Sequence, residues 1–125
     1  MIIKESAENY LESILMLKKK NGHVRSIDIA TLLNVSKPSV SVAMKSFREE
    51  GYITVDGDGS INLTEKGMQI AQKVYERHEV IAAALMALGV EKEIAYEDSC
   101  KIEHDISDQT FLKLKHHLKI HNILD

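Results

Sequence analysis

The sequence predicts a mainly α-helical protein with one small β-hairpin, and two observations lead to this prediction. Apolar residues recur at helical spacing over most of the 125 residues. The exception is a stretch of β-forming residues, Tyr52 to Val55, which the turn-forming run Asp56-Gly57-Asp58-Gly59 separates from the alternating segment Ser60 to Leu63. A hydrophobic content of 44 % excludes a disordered chain.

Residues that favour helix ends divide the helical part into six segments. Ser26 and Ser36 are expected N-caps, Asn34 is expected in a left-handed turn between them, and Pro38 suits a first helical turn. The predicted helices cover residues 6–20, 27–33, the segment between Ser36 and Gly51, the segment from Thr64 to near Gly89, residues 91–105 and residues 109–120.

A near-neutral first part and an acidic, histidine-rich second part suggest two functional parts, with a solvated acidic helical surface as the alternative. The predicted domains are residues 1–72 and 73–125. Up to Arg77 there are eleven basic and ten acidic residues, a net charge of +1. From His78 onward there are five and nine, a net charge of −4, and five of the six histidines lie there. No apolar run is long enough for a membrane helix, and the first residues do not form a signal peptide. The single cysteine, Cys100, is consistent with a reducing cytoplasmic location.

The order helix, helix, tight turn, helix and hairpin is typical of a winged helix-turn-helix. In that arrangement the third helix enters the major groove of DNA, and the hairpin lies along the backbone or minor groove. An outward-facing Val42 would contact a thymine methyl group, and the start of the second helix would bind phosphate. The predicted DNA-binding residues are Arg25, Ser26, Ser36, Lys37, Pro38, Ser39, Ser41, Val42 and Lys45.

A winged helix that binds another protein is the alternative, and the low net positive charge favours it. Against this alternative, the exposed face of the third helix carries Lys37, Lys45 and Arg48, with no acidic residue before Glu49. A modest charge implies modest nonspecific affinity for DNA. Dimerisation or regulation would then have to supply the remaining affinity.

A second group of residues has the side chains of a metal site. On a helix, Cys100, Glu103 and His104 would lie within an arc of about 100°. A thiolate, a carboxylate and an imidazole can together bind a divalent transition ion. His78, inside the apolar stripe of the long helix, is a further candidate ligand.

Further candidate ligands lie on the first helix, where Asn9 and Glu12 lie away from the main apolar stripe. Met16 falls between them in angle, which suggests that this polar face is covered. Each residue also has an ordinary interpretation: a hydrogen-bonded core histidine, a small buried cysteine, or a solvated Glu–His pair. Two interpretations also apply to His116, His117 and His121 near the C-terminus: they could form a metal site or a solvated helix end.

Several motifs together resemble the diphtheria-toxin-repressor family of metal-dependent transcriptional repressors, over nearly the whole chain. Their combination is specific, whereas each one alone would be weak. The motifs are Glu8-Asn9-Tyr10-Leu11-Glu12-Ser13-Ile14, the helix-turn-helix from Ile29 to Val40, Leu63-Thr64-Glu65-Lys66-Gly67, Arg77-His78-Glu79 and Cys100-Lys101-Ile102-Glu103-His104.

The resemblance implies a helical metal-binding and dimerisation domain after the winged helix, and a set of ligands by position. His78, Cys100, Glu103 and His104 match ligands of the iron branch. Glu12 matches a ligand glutamate of the manganese branch, in which a carboxylate replaces Cys100. Asn9 stands where relatives have methionine or aspartate, so its ligand role is open. Tyr96 and Ala82 replace residues of an ancillary site, and the chain ends without the barrel domain of longer members.

The resemblance also implies a homodimer in which a metal ion fixes the separation of the two recognition helices on double-stranded operator DNA. The expected function is repression of metal-uptake genes, with no enzymatic activity. Fe(II) is favoured because of the thiolate, Mn(II) is second, and Zn(II), Co(II) or Ni(II) are expected to bind in vitro. Two alternatives stay open: a metal-independent winged-helix regulator, and a small metalloenzyme built on His78, Cys100 and His104.

Overall fold

A computed structural model describes residues 5–124, with side chains from residue 6 onward. Within that range the chain forms six α-helices and one two-stranded antiparallel sheet. It divides into two compact units, whose boundary lies between Gln72 and Lys73, inside the fourth helix. The elements are α1 (Glu5–Asn21), α2 (Ser26–Leu33), α3 (Lys37–Glu49), β1 (Ile53–Val55), β2 (Ile61–Leu63), α4 (Glu65–Ala87), α5 (Lys92–Ile102) and α6 (Asp108–Ile120).

The first unit is a helix-turn-helix whose tight turn depends on Asn34. Asn34 has φ 53° and ψ 49°, the left-handed conformation predicted for it, and asparagine adopts that conformation more readily than most residues. Ser36 then caps α3 by accepting a hydrogen bond from the Ser39 amide at 3.2 Å. Val40 and Phe47 face the core of this unit, whereas Val42 is 71 % exposed.

The start of α2 differs from the prediction by one residue. The helix begins at Ser26, and Arg25 is the N-cap residue. The carboxylate of Asp28 accepts a hydrogen bond from the Arg25 amide at 2.9 Å. An acidic side chain at the third helical position can accept a hydrogen bond from the amide of the cap residue. This bond explains why Arg25, and not Ser26, is the cap residue.

The hairpin forms where the sequence predicts it, although both strands are one residue shorter. Ile53 pairs with Leu63 and Val55 with Ile61. Ile53 and Ile61 are buried, whereas Thr54 is exposed, so the alternation of the strands points one face toward the core. The turn closes through the Asp56 amide, which donates to the Ser60 carbonyl at 2.9 Å.

The second unit has its core between α4 and α6. Val80 of α4 packs with Phe111 and Leu118 of α6 in one buried cluster. Ser107 caps α6, with its hydroxyl oxygen accepting from the Thr110 amide at 3.1 Å, and the helix begins at Asp108, one residue before the predicted start.

The prediction of a helix over residues 91–105 is wrong at its C-terminal end. α5 ends at Ile102, and residues 103–105 form a turn. The guanidinium of Arg77 donates to the Glu103 carbonyl at 3.2 Å and to the Ile106 carbonyl at 2.7 Å. A cation that binds carbonyls after a helix satisfies groups that would otherwise need further helical turns, so the chain can turn here.

Between residues 5 and 124, none of the helices combines the length and apolar character required to cross a lipid bilayer.

Gly67, in the first turn of α4, lies so close to another segment of backbone that a side chain would not fit at this position. A Cβ atom at this position would lie 2.1 Å from the Tyr52 carbonyl oxygen, which belongs to the segment entering the hairpin. We expect Gly67→Ala to lower the free energy of unfolding by about 3 kcal/mol or more, because backbone cannot yield as a side chain does. Urea denaturation measures this change. Gly57→Ala, in the open hairpin turn with no atom within 4 Å of the added Cβ, is the matched control and should change stability by less than about 0.5 kcal/mol.

Candidate metal centre and nucleic-acid interface

His78 is the centre of a buried polar cluster in the second unit. It lies on α4 and is only 4 % exposed. Its Nδ1 atom is 2.8 Å from Oε2 of Glu103 and 3.6 Å from Sγ of Cys100. The sequence separates these residues by more than twenty positions, so the tertiary fold brings them together.

The ligand atoms of His78, Cys100 and Glu103 all lie within 4.8 Å of one another. The Glu103 side chain is fully buried, whereas Cys100 is exposed at the edge of the cluster. Oε1 of Glu103 accepts no hydrogen bond from the described residues, and Nε2 of His104 lies 3.3 Å from it. One imidazole, one thiol and one carboxylate form a donor set that suits a borderline divalent ion, so these residues fit a metal.

Three influences determine the pKa of His78. Burial disfavours the protonated imidazole, but hydrogen bonds to Cys100 and Glu103 and the negative charge of Glu103 outweigh it and raise the pKa to about 10. At neutral pH and without a bound ion, the imidazole is therefore protonated, and its Nδ1–H group donates a hydrogen bond to the Glu103 carboxylate. A divalent ion that binds at this nitrogen must displace that proton.

His104 lies beside the cluster but outside the group of three. Its side chain is 2 % exposed, and Nε2 is 3.3 Å from Oε1 of Glu103. Glu103 is the C-cap residue of α5 and keeps helical geometry, with φ −58°, ψ −24° and an amide that donates to the Ser99 carbonyl at 3.0 Å. The expectation that Cys100, Glu103 and His104 share one helix face is wrong for His104, which lies in the turn that follows.

Two residues that support the cluster were not predicted. Ser99 is fully buried, and its hydroxyl donates to the His78 carbonyl at 2.5 Å. Arg77 is buried and holds the carbonyls of the 103–106 turn, while its guanidinium also pairs with the Asp108 carboxylate at the start of α6. The hydrogen bond from Lys73 and the charges of Lys73 and Arg77 lower the pKa of Asp108. In the sequence, only the position of Arg77 directly before His78 indicated that it could support the cluster. No feature of the sequence indicated this role for Ser99.

The residues at the predicted ancillary positions have other contacts. The Tyr96 hydroxyl donates to the Glu79 carboxylate at 2.9 Å, and the Tyr96 ring lies 5.2 Å from the His78 ring, between centroids. Ala82 is fully buried and has no ligand atom.

In the first unit, the α1 candidates Glu12 and Asn9 differ in burial. Glu12 is 5 % exposed, which is rare for a carboxylate in a helix, whereas Asn9 is half-buried. The Asn9 carbonyl accepts a hydrogen bond from the Ser13 hydroxyl at 2.7 Å.

The predicted DNA-binding residues lie on an exposed surface of the first unit. A shallow groove joins α2, α3 and β1, and Ser26, Ser41, Lys45, Arg48 and Val55 line it together with Met44. Arg48, an exposed basic residue of α3, was not in the predicted set. Exposed around the head of α3 are Ser36, Lys37, Pro38, Ser39, Ser41, Val42 and Lys45.

Arg25 has an acidic neighbour at the tip of the hairpin. Its guanidinium is 3.7 Å from the Asp58 carboxylate, and both side chains are exposed. Hydrogen bonds from Ser60, followed by the charge of Arg25, lower the pKa of Asp58. An exposed pair of this kind contributes little stability, so the Arg25 charge can still interact with phosphate.

Two family models match the chain one after the other. Residues 3–61 match the N-terminal DNA-binding domain of iron-dependent repressors, and residues 64–120 match their metal-binding and dimerisation domain. The chain belongs to the iron-dependent repressor family. The resemblance inferred from its motifs is thereby confirmed, as is its function as a metal-dependent transcriptional repressor.

Individual members of the family agree with this assignment. The chain is 35 % identical to an uncharacterised helix-turn-helix transcriptional regulator of Methanocaldococcus jannaschii over 115 residues, 90 % of this chain and 92 % of the relative. It is 35 % identical to the transcriptional regulator MntR of Escherichia coli over 107 residues, 86 % of this chain and 69 % of the relative. These relatives are regulators of transcription.

Solved structures confirm the fold class, a winged helix-turn-helix followed by a helical domain. The IdeR structure from T. acidophilum has a TM-score of 0.82 at 22 % identity, and the match covers 95 % of this chain and 55 % of that one. The manganese regulator SloR has a TM-score of 0.77 at 28 % identity, over 99 % of this chain and 56 % of that one. This chain thus spans about half the length of these two proteins.

Arg77 supports the turn that carries Glu103, and this role can be measured. We expect Arg77→Met to lower the free energy of unfolding by at least about 2 kcal/mol, because two carbonyls lose a charged donor. Lys73→Met is the matched control: Lys73 lies 3.4 Å from the same Asp108 carboxylate but is exposed, so its loss should matter far less. Equal effects of the two variants in urea denaturation would contradict this role of Arg77.

Proposed function

We propose that this repressor responds to Fe(II), with Mn(II) as the second ion, and that it represses genes for metal uptake. The observation that supports this proposal most directly is the buried cluster of His78, Cys100 and Glu103, whose donor atoms lie within 4.8 Å of one another. The DNA-binding and dimerisation domains named by the family models support two other parts of the proposal, a homodimer and an operator in double-stranded DNA. The proposal also includes a cytoplasmic location, which the single cysteine suits.

The choice of ion follows from the donor atoms. A thiolate favours Fe(II), Co(II), Ni(II) or Zn(II) over Mn(II), and imidazole suits the same ions. Zn(II) should bind tightly in vitro because affinities follow the Irving–Williams order, whereas metal availability decides the ion in the cell. A structure of the manganese-activated repressor ScaR, 28 % identical to this chain, contains bound Zn²⁺.

The proposal adds His104 to the three clustered residues, and Glu12 and Asn9 from α1. His104 is supported by its nearly complete burial beside Glu103. Glu12 is supported by its own burial and by the family resemblance. Asn9 is the weakest ligand of the set, since an amide oxygen is neutral.

Three features of the chain would link ion binding to DNA binding. His78, Cys100 and Glu103 would hold the ion, and His78 would bind it as the neutral imidazole. Arg77 and Ser99 hold the backbone of these ligands, so the donors are preorganised. In the dimer, the recognition helices are then held at the spacing of two half-sites.

When bound, the ion supplies the positive charge that the cluster of donors requires. A coupling free energy of about 1–3 kcal/mol would raise operator affinity roughly 5–150-fold, and DNA would tighten metal binding by the same factor.

A gel-shift titration against the protein's own promoter tests the metal dependence. We expect Fe(II), added under anaerobic conditions, to strengthen DNA binding within this 5–150-fold range. Mn(II) should act at higher concentration, and chelator should reverse both effects. Cys100→Ala and Glu103→Gln should each reduce this stimulation, because each removes a donor from the cluster.

Asp105→Asn is the matched control, since Asp105 is an exposed carboxylate in the same turn. DNA binding that is insensitive to chelator would instead identify a metal-independent regulator. Undiminished activation of Cys100→Ala by iron would remove Cys100 from the ligand set. Hydrolytic turnover on a substrate panel would favour the metalloenzyme alternative.

The α3 surface predicts two different effects on DNA recognition. Val42→Ala should relax the preference at one base pair, because it shortens the exposed apolar side chain that would contact a thymine methyl group. Lys45→Ala should weaken binding to all sequences and lower the salt slope by about 1. Selection from a random DNA pool, combined with salt titration, measures both effects. Lys113→Ala, on α6 in the second unit, is the control, and an equal loss with it would contradict a contact at Lys45.

A further inference from the structure

Two histidines at the C-terminal end of α6 are not used by the cluster around His78: His117 in the last turn of the helix and His121, the C-cap residue that follows it. His117 and His121 are both exposed, and their ring centroids are 4.3 Å apart. Residues four apart on a helix face the same side, one turn above the other. We propose that His117 and His121 form a second metal site, which binds a borderline divalent ion such as Ni(II), Cu(II) or Zn(II).

The backbone that carries the pair is held in place. Between the two histidines, Leu118 is buried and packs with Val80 and Phe111. Its carbonyl accepts hydrogen bonds from the Ile123 amide at 2.8 Å and the Leu124 amide at 3.3 Å. The helix end is thus anchored on both sides of His121, so the two rings need little ordering to bind one ion.

The position at a helix C-terminus favours a cation. The last carbonyl groups of a helix carry partial negative charge. α6 ends at Ile120, one residue before His121, so both histidines lie at this end of the helix. Lys119, the basic side chain of the same turn, stands two residues from each histidine. It therefore projects about 200° around the helix from either ring, away from the proposed site.

The donor set differs from that of the His78 cluster. Two imidazoles without a thiolate or a carboxylate favour Cu(II), Ni(II) and Zn(II) over Mn(II), because imidazole suits the former ions and oxygen ligands suit the latter. Water would complete the coordination, which makes this the weaker of the two sites. The inference is independent of the proposed function, since neither histidine belongs to its ligand set.

The test is a calorimetric titration of the full chain with Ni(II) alone. Cys100→Ala and Glu103→Gln are introduced together to remove the first centre. We expect this protein to bind one Ni(II) per chain. His117→Ala and His121→Ala, each added to it, should weaken binding roughly tenfold or more, because a chelate loses one of its two linked donors. His116→Ala, which removes the adjacent exposed histidine, should leave the affinity unchanged.

A second measurement locates the ion. Zn(II) should shift the imidazole signals of His117 and His121 in NMR spectra and leave those of His116 in place. The proposal is overturned if Ni(II) does not bind, if it binds one ion per two chains, or if the His116 variant loses as much affinity as the other two. Gel shifts of the wild-type chain with Fe(II) report on the proposed repressor function separately, so the two can fail independently.

Discussion

The contact between His78 and Glu103 is the constraint on which the second unit depends. Both side chains are buried, and a buried carboxylate requires a compensating charge. A proton on His78 supplies that charge at neutral pH, as its raised pKa indicates. The cluster therefore carries compensating charges of its own, and its imidazole, thiol and carboxylate groups would also suit a divalent ion.

Two consecutive residues of α4, Arg77 and His78, contact the turn that begins at Glu103, one through its backbone and the other through a side chain. His78 contacts the side chain of Glu103, whereas Arg77 binds its backbone carbonyl and the Asp108 carboxylate at the start of α6. Displacement of the turn would therefore strain α4 and α6 together. This arrangement explains how a change at one buried cluster can reach the helices of a dimerisation domain, since the intervening backbone is bound rather than loose.

Most of the fold could be predicted because its signals are local. Asn34 in a left-handed turn and Ser36 at a helix start each follow from the chemistry of one residue. The errors lie at helix ends. α2 begins one residue early because Asp28 binds the Arg25 amide, and α5 stops early because Arg77, more than twenty residues away in sequence, binds the carbonyls that follow. Only the first of these contacts is local.

The residue types and their spacing were enough to identify candidate ligands and a recognition helix. Imidazole, thiol and carboxylate groups can bind metal ions whatever their position in the fold, so the sequence alone identifies them as candidates. The amino-acid sequence by itself therefore determined the class of protein and the donor atoms. Only the tertiary structure decided how close His78 comes to Cys100 and Glu103, that α5 ends at Ile102, and that Ser99 and Arg77 support the cluster. The physical reason is that these contacts join segments far apart in the chain, and helical periodicity carries no information on which segments will pack together.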